Sequence, residues 1–236
     1  MRSIRSIGKR LLSVAGYEVR VQQPAATHNR PIGRQDSVFG DFRARGFRPT
    51  LVFDIGAADG TWTAAVRPIF PEARFVLVEP RRTSVEPTVR AGVGAQEGTA
   101  TLTDWDTGST LLAVDPSDVT QYQVPVTTLD RLAAQFGMPD FVKLDVEGFE
   151  LEALRGAGTL FGRTELFVIE VAMYRFMERP MFHEIVAFMA EREYFVYDIA
   201  GFIRRPYDGA VSLMDLCFAQ KLLRGPECEW HARIKK

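Results

Sequence analysis

Apolar runs of four or five residues recur along the chain, and each stops at an acid, a glycine or a proline. Leu51-Val-Phe-Asp-Ile55 runs into Gly56-Ala57-Ala58-Asp59-Gly60, Phe75-Val-Leu-Val78 stops at Glu79-Pro80, and Phe141-Val-Lys-Leu144 stops at Asp145. Short apolar runs bounded by turn residues are the mark of strands buried on both faces. Helical periodicity fills the gaps between them. The pattern predicts a lead-in helix over 37–46, a strand over 50–55, a helix over 60–69 and a strand over 74–79. Short strands follow through Gly94, over 99–104 and over 122–127. Then come a helix over 129–136, a strand over 141–144, a helix over 148–160, a strand over 165–171, a helix over 181–192 and strands over 194–197 and 213–219. Such alternation makes a parallel sheet with helices on both faces.

Ahead of this domain, Ile4, Ile7, Leu11, Leu12 and Ala15 share one face of a helix opposed by Arg and Lys. Arg2, Arg5, Lys9, Arg10 and Arg20 stand against Glu18 alone in residues 1–20. The plain reading is a surface helix packed on the domain. The sharper one is a helix lying on an anionic membrane face, a peripheral membrane contact through residues 1–20. Residues 22–36, rich in Pro, Asn, Gly and Gln, read as a linker. The expected division is therefore residues 1–49 as basic helix, linker and lead-in helix, and 50–236 as the main domain.

Composition changes this picture little. Hydrophobic residues make up 46% and charged residues 25%, an ordinary globular balance, and a formal net charge of −1 gives no global pull toward nucleic acid. Cys217 and Cys228 lack metal-ligand or redox spacing and read as reduced thiols. No run approaches the roughly 18 apolar residues of a transmembrane helix, and the N-terminus lacks a signal-peptide core. The expected location is cytoplasmic, with a peripheral membrane contact as the alternative. No stretch shows an interface pattern that fixes an oligomeric state.

Parallel sheets bind ligands beyond the carboxyl ends of their strands. Gly56 allows a sharp turn and a close approach of backbone to ligand, and Gly60 allows tight entry into the next helix. A dinucleotide fingerprint would need G-x-G-x-x-G. Here Ala58 takes the middle position, and Gly60 comes one place early for the third glycine. Asp59 puts a carboxylate where a pyrophosphate would sit, and Asp54 has the same preference for a cation. The turn therefore suits S-adenosylmethionine, whose sulfonium and ammonium are positive. Glu79, 25 residues beyond Asp54, is placed to take ribose hydroxyls. Asp54, Gly56, Ala57, Asp59, Gly60, Glu79, Pro80 and Asp145 are the expected cofactor contacts.

A second acidic strand end follows in Lys143-Leu-Asp-Val-Glu-Gly148, and Glu170 closes the next strand. Together Val124-Pro-Val-Thr-Thr-Leu-Asp130 and the run from Pro139 to Ala157 resemble the signature of the FkbM-type S-adenosylmethionine-dependent methyltransferases. The likeness extends from about residue 51 to 197. The turn departs from it at Ala57-Ala58-Asp59, where many members carry an Asn. The resemblance implies a Rossmann-like class I methyltransferase fold: a mostly parallel seven-stranded sheet with helices on both faces and an N-terminal helical extension. It implies cofactor roles for Asp54, Gly56, Gly60 and Glu79, and a reaction centre lined by Asp145, Glu147 and Glu170. It also implies O-methylation of hydroxyls on polyketides, sugars or glycans.

A sugar hydroxyl is a weak acid, so a general base or a divalent metal should assist. Candidates for the base are Asp145, Glu147, Glu170 and His183. The plain reading of His183 is a helix-start surface residue. Asp145, Glu147 and Glu170 offer the hard oxygens that Mg²⁺ accepts. An ion-pair network with Lys143 explains them equally, and a metal is not favoured. Tyr174-Arg-Phe-Met177 and Phe202-Ile-Arg-Arg-Pro-Tyr207 read as walls holding a sugar ring or acidic glycan, or as packed loop ends. Trp62 and Trp105 fit either core or cleft. The alternatives are a nicotinamide-dependent oxidoreductase of the same fold and a non-catalytic cofactor-binding protein.

Overall fold

The computed structural model describes residues 31–83, 86–104, 109–112, 120–175 and 178–220. The expected basic helix of residues 1–20, most of the linker, Trp105, Phe176, Met177 and Cys228 lie outside the described residues. Helix α1 (Gln35–Ala44) precedes β1 (Leu51–Ile55), α2 (Thr61–Val66) and β2 (Arg74–Val78). Next come β3 (Gly92–Val93), β4 (Gly98–Asp104), β5 (Thr120–Thr127), α3 (Leu129–Phe136), β6 (Phe141–Leu144) and α4 (Glu150–Arg155). β7 (Leu166–Ala172), α5 (Phe182–Ala190), β8 (Phe195–Arg204) and β9 (Val211–Ala219) follow.

Six of the strands form one sheet in the order β2-β1-β6-β7-β9-β8. The pairs β2/β1, β1/β6 and β6/β7 are parallel, and β9 runs antiparallel to both β7 and β8. The expected seven-stranded, mostly parallel sheet is thus corrected to a mixed sheet of six. β3, β4 and β5 stay apart in a three-stranded sheet of order β3-β5-β4. Their composition explains the separation. β5 reads Thr-Gln-Tyr-Gln-Val-Pro-Val-Thr, with a proline and with only Val124 buried, which suits a small surface sheet and not a central strand.

The sheet's two faces carry separate cores. Phe53, Ile55, Val142, Leu144, Phe167 and Ile169 point toward α3, α4 and α5, where Leu132, Leu154, Ile185 and Met189 meet them. Val52, Phe75, Phe141, Leu166 and Val168 point the other way, toward α1 and α2. This is the alternation of a strand covered on both sides. Phe39 and Trp62 both pack edge-on to the Phe141 ring at 5.5 Å between centroids, and Phe70 does so at 6.3 Å.

Polar clamps fix the strand ends. One Asp140 carboxylate oxygen accepts from the Thr50 amide (2.7 Å), the Thr50 hydroxyl (2.8 Å) and the Leu51 amide (3.2 Å), joining the starts of β1 and β6. Thr128 caps α3 by accepting from the Arg131 amide, and Asp130 accepts from the amide and hydroxyl of Thr159. α4 is shorter than expected because Gly156 and Gly158 follow it, and the chain turns through residues 157–163 instead. β8 is longer than expected, extending to Arg204 past register shifts that absorb Gly201.

Candidate functional site

β1 is hydrogen-bonded to β2 on one side and to β6 on the other, so the chain's path across the sheet reverses there. A cavity of about 390 Å³ opens at the carboxyl ends of these strands, within the usual range for a ligand site. Its floor is the turn Gly56–Asp59 and the segment Lys143–Glu147. Glu79, Pro80 and Arg81 wall one side, Leu102 and Leu111 another, and Ile203 and Leu213 of the β8–β9 hairpin the third. Trp62 is both things expected of it, since it packs on Phe141 and also lines the cavity.

Gly56 has no room for a side chain. A Cβ there would stand 1.7 Å from the Asp145 carbonyl oxygen, and its φ of +76° already lies in the left-handed region. Gly60 starts α2 at φ +76° and donates to the Ala57 carbonyl at 2.7 Å, so it shapes the turn and does not line the cavity. Ala57 and Pro80 do line it. Asp59 is exposed and accepts from both the amide and the hydroxyl of Thr61, which lowers its pKa. Glu79 is buried, and accepts from the Ala58 amide (2.8 Å), the Arg81 amide (2.9 Å) and the Arg81 Nε (3.2 Å). These bonds span the first two strand ends, fill both acceptor positions of Oε1 and leave one on Oε2 for a ligand.

Asp54 departs from expectation: its side chain is fully buried and is not part of the cavity wall. It accepts from the Thr63 hydroxyl at 2.6 Å and lies 3.7 Å from the Lys143 ammonium. Burial raises its pKa, with Lys143 and the Thr63 bond opposing. Lys143 also reaches Asp145 at 3.1 Å and the Gly56 carbonyl at 3.4 Å. Burial alone would lower its pKa, but Asp145 and Asp54 outweigh that and hold it above the ordinary lysine value. Asp54 thus supports the floor from behind, through Lys143.

Asp145, Glu147 and Glu170 do converge, with carboxylate oxygens within 4.8 Å of one another. Glu147 sits at φ +54°, an uncommon conformation for a non-glycine residue, and its carbonyl accepts from the Thr110 hydroxyl at 2.6 Å. Arg179, from the segment before α5, pairs with Glu147 and lies 3.7 Å from Glu170. Burial raises the Glu147 pKa against the pull of Arg179. Burial, then the Asp145 and Glu147 charges, push Glu170 up to about 10, so it carries its proton at neutral pH. Behind them, buried Glu150 accepts from the Gly148 amide at 3.0 Å and is pushed up to about 7, mainly by burial. The spacing would admit a hard cation. Lys143 and Arg179 already answer the acids, so the residues present account for the cluster as an ion-pair network.

His183 is not brought to this place. It is exposed on α5, its ring against Phe182, while Ile185 and Met189 face the core. Arg179, Arg81, Glu150 and Asp215 were not singled out from the sequence. Arg81 carried a local signal, two residues past Glu79. Arg179 carried only a general one, since converging buried carboxylates need a cation from somewhere.

The model of the FkbM methyltransferase domain matches residues 54–196, well over half of the 236-residue chain. No curated protein matches significantly. Among solved structures, an FkbM methyltransferase from Methylobacillus flagellatus is 18% identical with a TM-score of 0.47, over 76% of this chain and 47% of that one. The chain therefore spans about half the length of that solved relative. The 1,6-didemethyltoxoflavin-N1-methyltransferase of Burkholderia thailandensis, solved with bound 1,6-didemethyltoxoflavin and S-adenosylhomocysteine, is 15% identical with a TM-score of 0.38, over 93% and 91% of the two chains. A precorrin-6y C5,15-methyltransferase from Geobacter metallireducens is 11% identical with a TM-score of 0.39, over 75% and 83%. By the domain match across its central 143 residues, this chain belongs to the FkbM methyltransferase family.

Proposed function

We propose that this protein is an O-methyltransferase that moves the methyl of S-adenosylmethionine to a hydroxyl of a sugar, a glycan or a related secondary metabolite. The observation that carries this reading is the sign of the cavity wall. Asp59, Glu79, Asp145 and Glu147 line it against two cations, Lys143 and Arg81, both already paired with acids of the wall, which favours a cationic cofactor and opposes a pyrophosphate. Glu79 would take the ribose hydroxyls, the backbone at Gly56–Ala58 would pass close beneath, and Asp59 and Asp145 would face the positive groups. When bound, the cofactor supplies a methyl already activated by its sulfonium.

The chain's own residues then have two tasks, holding the acceptor oxygen in line and taking its proton. Asp145 is held by Lys143 and Glu147 by Arg179, which fixes both side chains at the cavity floor. Glu147, its basicity raised by burial, is our assignment for the base, with Asp145 orienting the acceptor from the floor. Glu170, protonated at neutral pH, serves as a hydrogen-bond donor.

Calorimetry with S-adenosylhomocysteine and with NAD tests the cofactor assignment. S-adenosylhomocysteine should bind and NAD should not, and Glu79→Ala should weaken the former directly. NAD binding more tightly than S-adenosylhomocysteine would overturn the assignment in favour of an oxidoreductase.

A further inference from the structure

Beside the main cavity lies a smaller one of about 130 Å³, bounded by Glu147, Ala172, Tyr174, Arg179, Ser212 and Leu213. Glu147 and Leu213 belong to both walls, so the two cavities meet at the carboxylate assigned above as the base. We propose that the smaller cavity is the acceptor subsite and that it takes an uncharged hydroxylated ring, a neutral sugar residue. This rests on the methyltransferase reading of the main cavity.

Size, chemistry and charge each support it. The volume is well below that of a whole-ligand pocket and admits one ring or side group. The wall alternates hydroxyls, at Tyr174 and Ser212, with the apolar surface of Ala172 and Leu213. A sugar ring alternates in the same way between C–H faces and O–H edges. The two hydroxyl oxygens are 3.4 Å apart, near enough to address one hydroxyl of a ligand together. Every cation at the wall is already committed to an acid. Arg179 pairs with Glu147 and lies 3.7 Å from Glu170, while Arg205, stacked 4.5 Å from the Tyr174 ring centre, pairs with Asp208. A phosphate or carboxylate entering here would face the Glu147 carboxylate, whose charge the wall cation, Arg179, already answers.

The wall is also held in place by the fold. A bridge between Ala172 and Met181 sets Met181 beside the end of β7, and the Met173 amide donates to the Ser212 carbonyl at 2.9 Å. Gly148 leaves room for the arginine, since a Cβ there would come within 2.7 Å of the Arg179 Cγ.

The test uses saturation-transfer NMR on the protein loaded with S-adenosylhomocysteine. The probes are a panel of neutral methyl hexopyranosides and the matching uronic acids and hexose 6-phosphates. Neutral glycosides should receive saturation and the anionic sugars should not. Tyr174→Ala and Ser212→Ala should each weaken the best glycoside by about two- to tenfold, the loss expected for a hydrogen bond or two. Calorimetric affinity for S-adenosylhomocysteine should stay unchanged in both variants, which also certifies their fold. Equal or better saturation of the anionic sugars would overturn the charge assignment. Silence from every neutral glycoside, or glycoside binding indifferent to both substitutions, would overturn the subsite. Failure of the unaltered protein to bind S-adenosylhomocysteine would instead strike the methyltransferase reading beneath it.

Discussion

Lys143 stands on a strand buried on both faces, where a lysine is costly unless acids answer it. Asp54 and Asp145 do so from either side, at 3.7 and 3.1 Å. Lys143→Met removes the shared cation and leaves both carboxylates facing each other. Urea unfolding should show a loss of about 3–5 kcal/mol, the range for breaking a buried pair from one side. Adding Asp54→Asn should recover part of that loss, and equal stability of Lys143→Met and the unaltered protein would show that the pair carries no weight. At the reaction centre the expected change is kinetic. Glu147→Gln should lower kcat by about 10²- to 10⁴-fold, the contribution of a general base, and Asp145→Asn should also act mainly on turnover. Either variant keeping its full kcat would remove that residue from the mechanism.

Helices and strands divide the family signature into a scaffold half and a site half. Thr128 and Asp130 hold α3 and the turn at Thr159, and Asp140 ties β1 to β6, so none of these three lines the cavity. Thr128→Ala, which strips the cap from α3, should cost about 1 kcal/mol in thermal or urea unfolding and leave S-adenosylhomocysteine affinity unaltered. A change in affinity at unchanged stability would place this segment in the site. The order of elements was legible from the apolar runs because buried parallel strands must be apolar throughout. Three things were not. The membership of β3, β4 and β5 in a sheet of their own depends on pairing between segments far apart in sequence. The run of β8 past residue 197 was masked by Asp198 and Gly201, which resemble a strand's end, and bulges carry the strand through them. Asp54 sits at the end of its strand as expected. Its bond to Thr63 and its place beneath Lys143, however, bury it behind the cavity floor. Helix phase disposed of His183, since Ile185, two residues on, is the buried position.

Across the whole sheet, one face carries a line of charged groups at its carboxyl end. Asp54 stands opposite Lys143, Asp145 follows two residues on, Glu170 stands opposite Asp215, and Asp215 stands opposite Gly201. A Cβ at Gly201 would lie 2.1 Å from an Asp215 carboxylate oxygen, so a side chain there would displace that carboxylate. Desolvation pushes Asp215 up to about 6, Glu150 to about 7 and Glu170 to about 10, each above its value in the unfolded chain. For a carboxyl raised in this way, the folded state binds more protons than the unfolded state between the two pKa values. Stability contributed by these protons is full below about pH 4 and declines as pH rises through that window. The exposed Glu72, lowered to about 2 by its Arg43 bond, has the opposite sign and acts only in acid, where its contribution is lost as pH falls toward 2. Between pH 5 and 9 the protein should therefore lose stability steadily in urea titrations. Glu170→Gln fills the same space with a group that cannot ionise, so its decline should be shallower. By pH 9 it should exceed the unaltered protein by at least about 1.4 kcal/mol, the equivalent of one pKa unit. Parallel curves for the two proteins over that range would mean that Glu170 titrates as an ordinary surface carboxyl, and that it does not carry the proton assigned to it beside the acceptor.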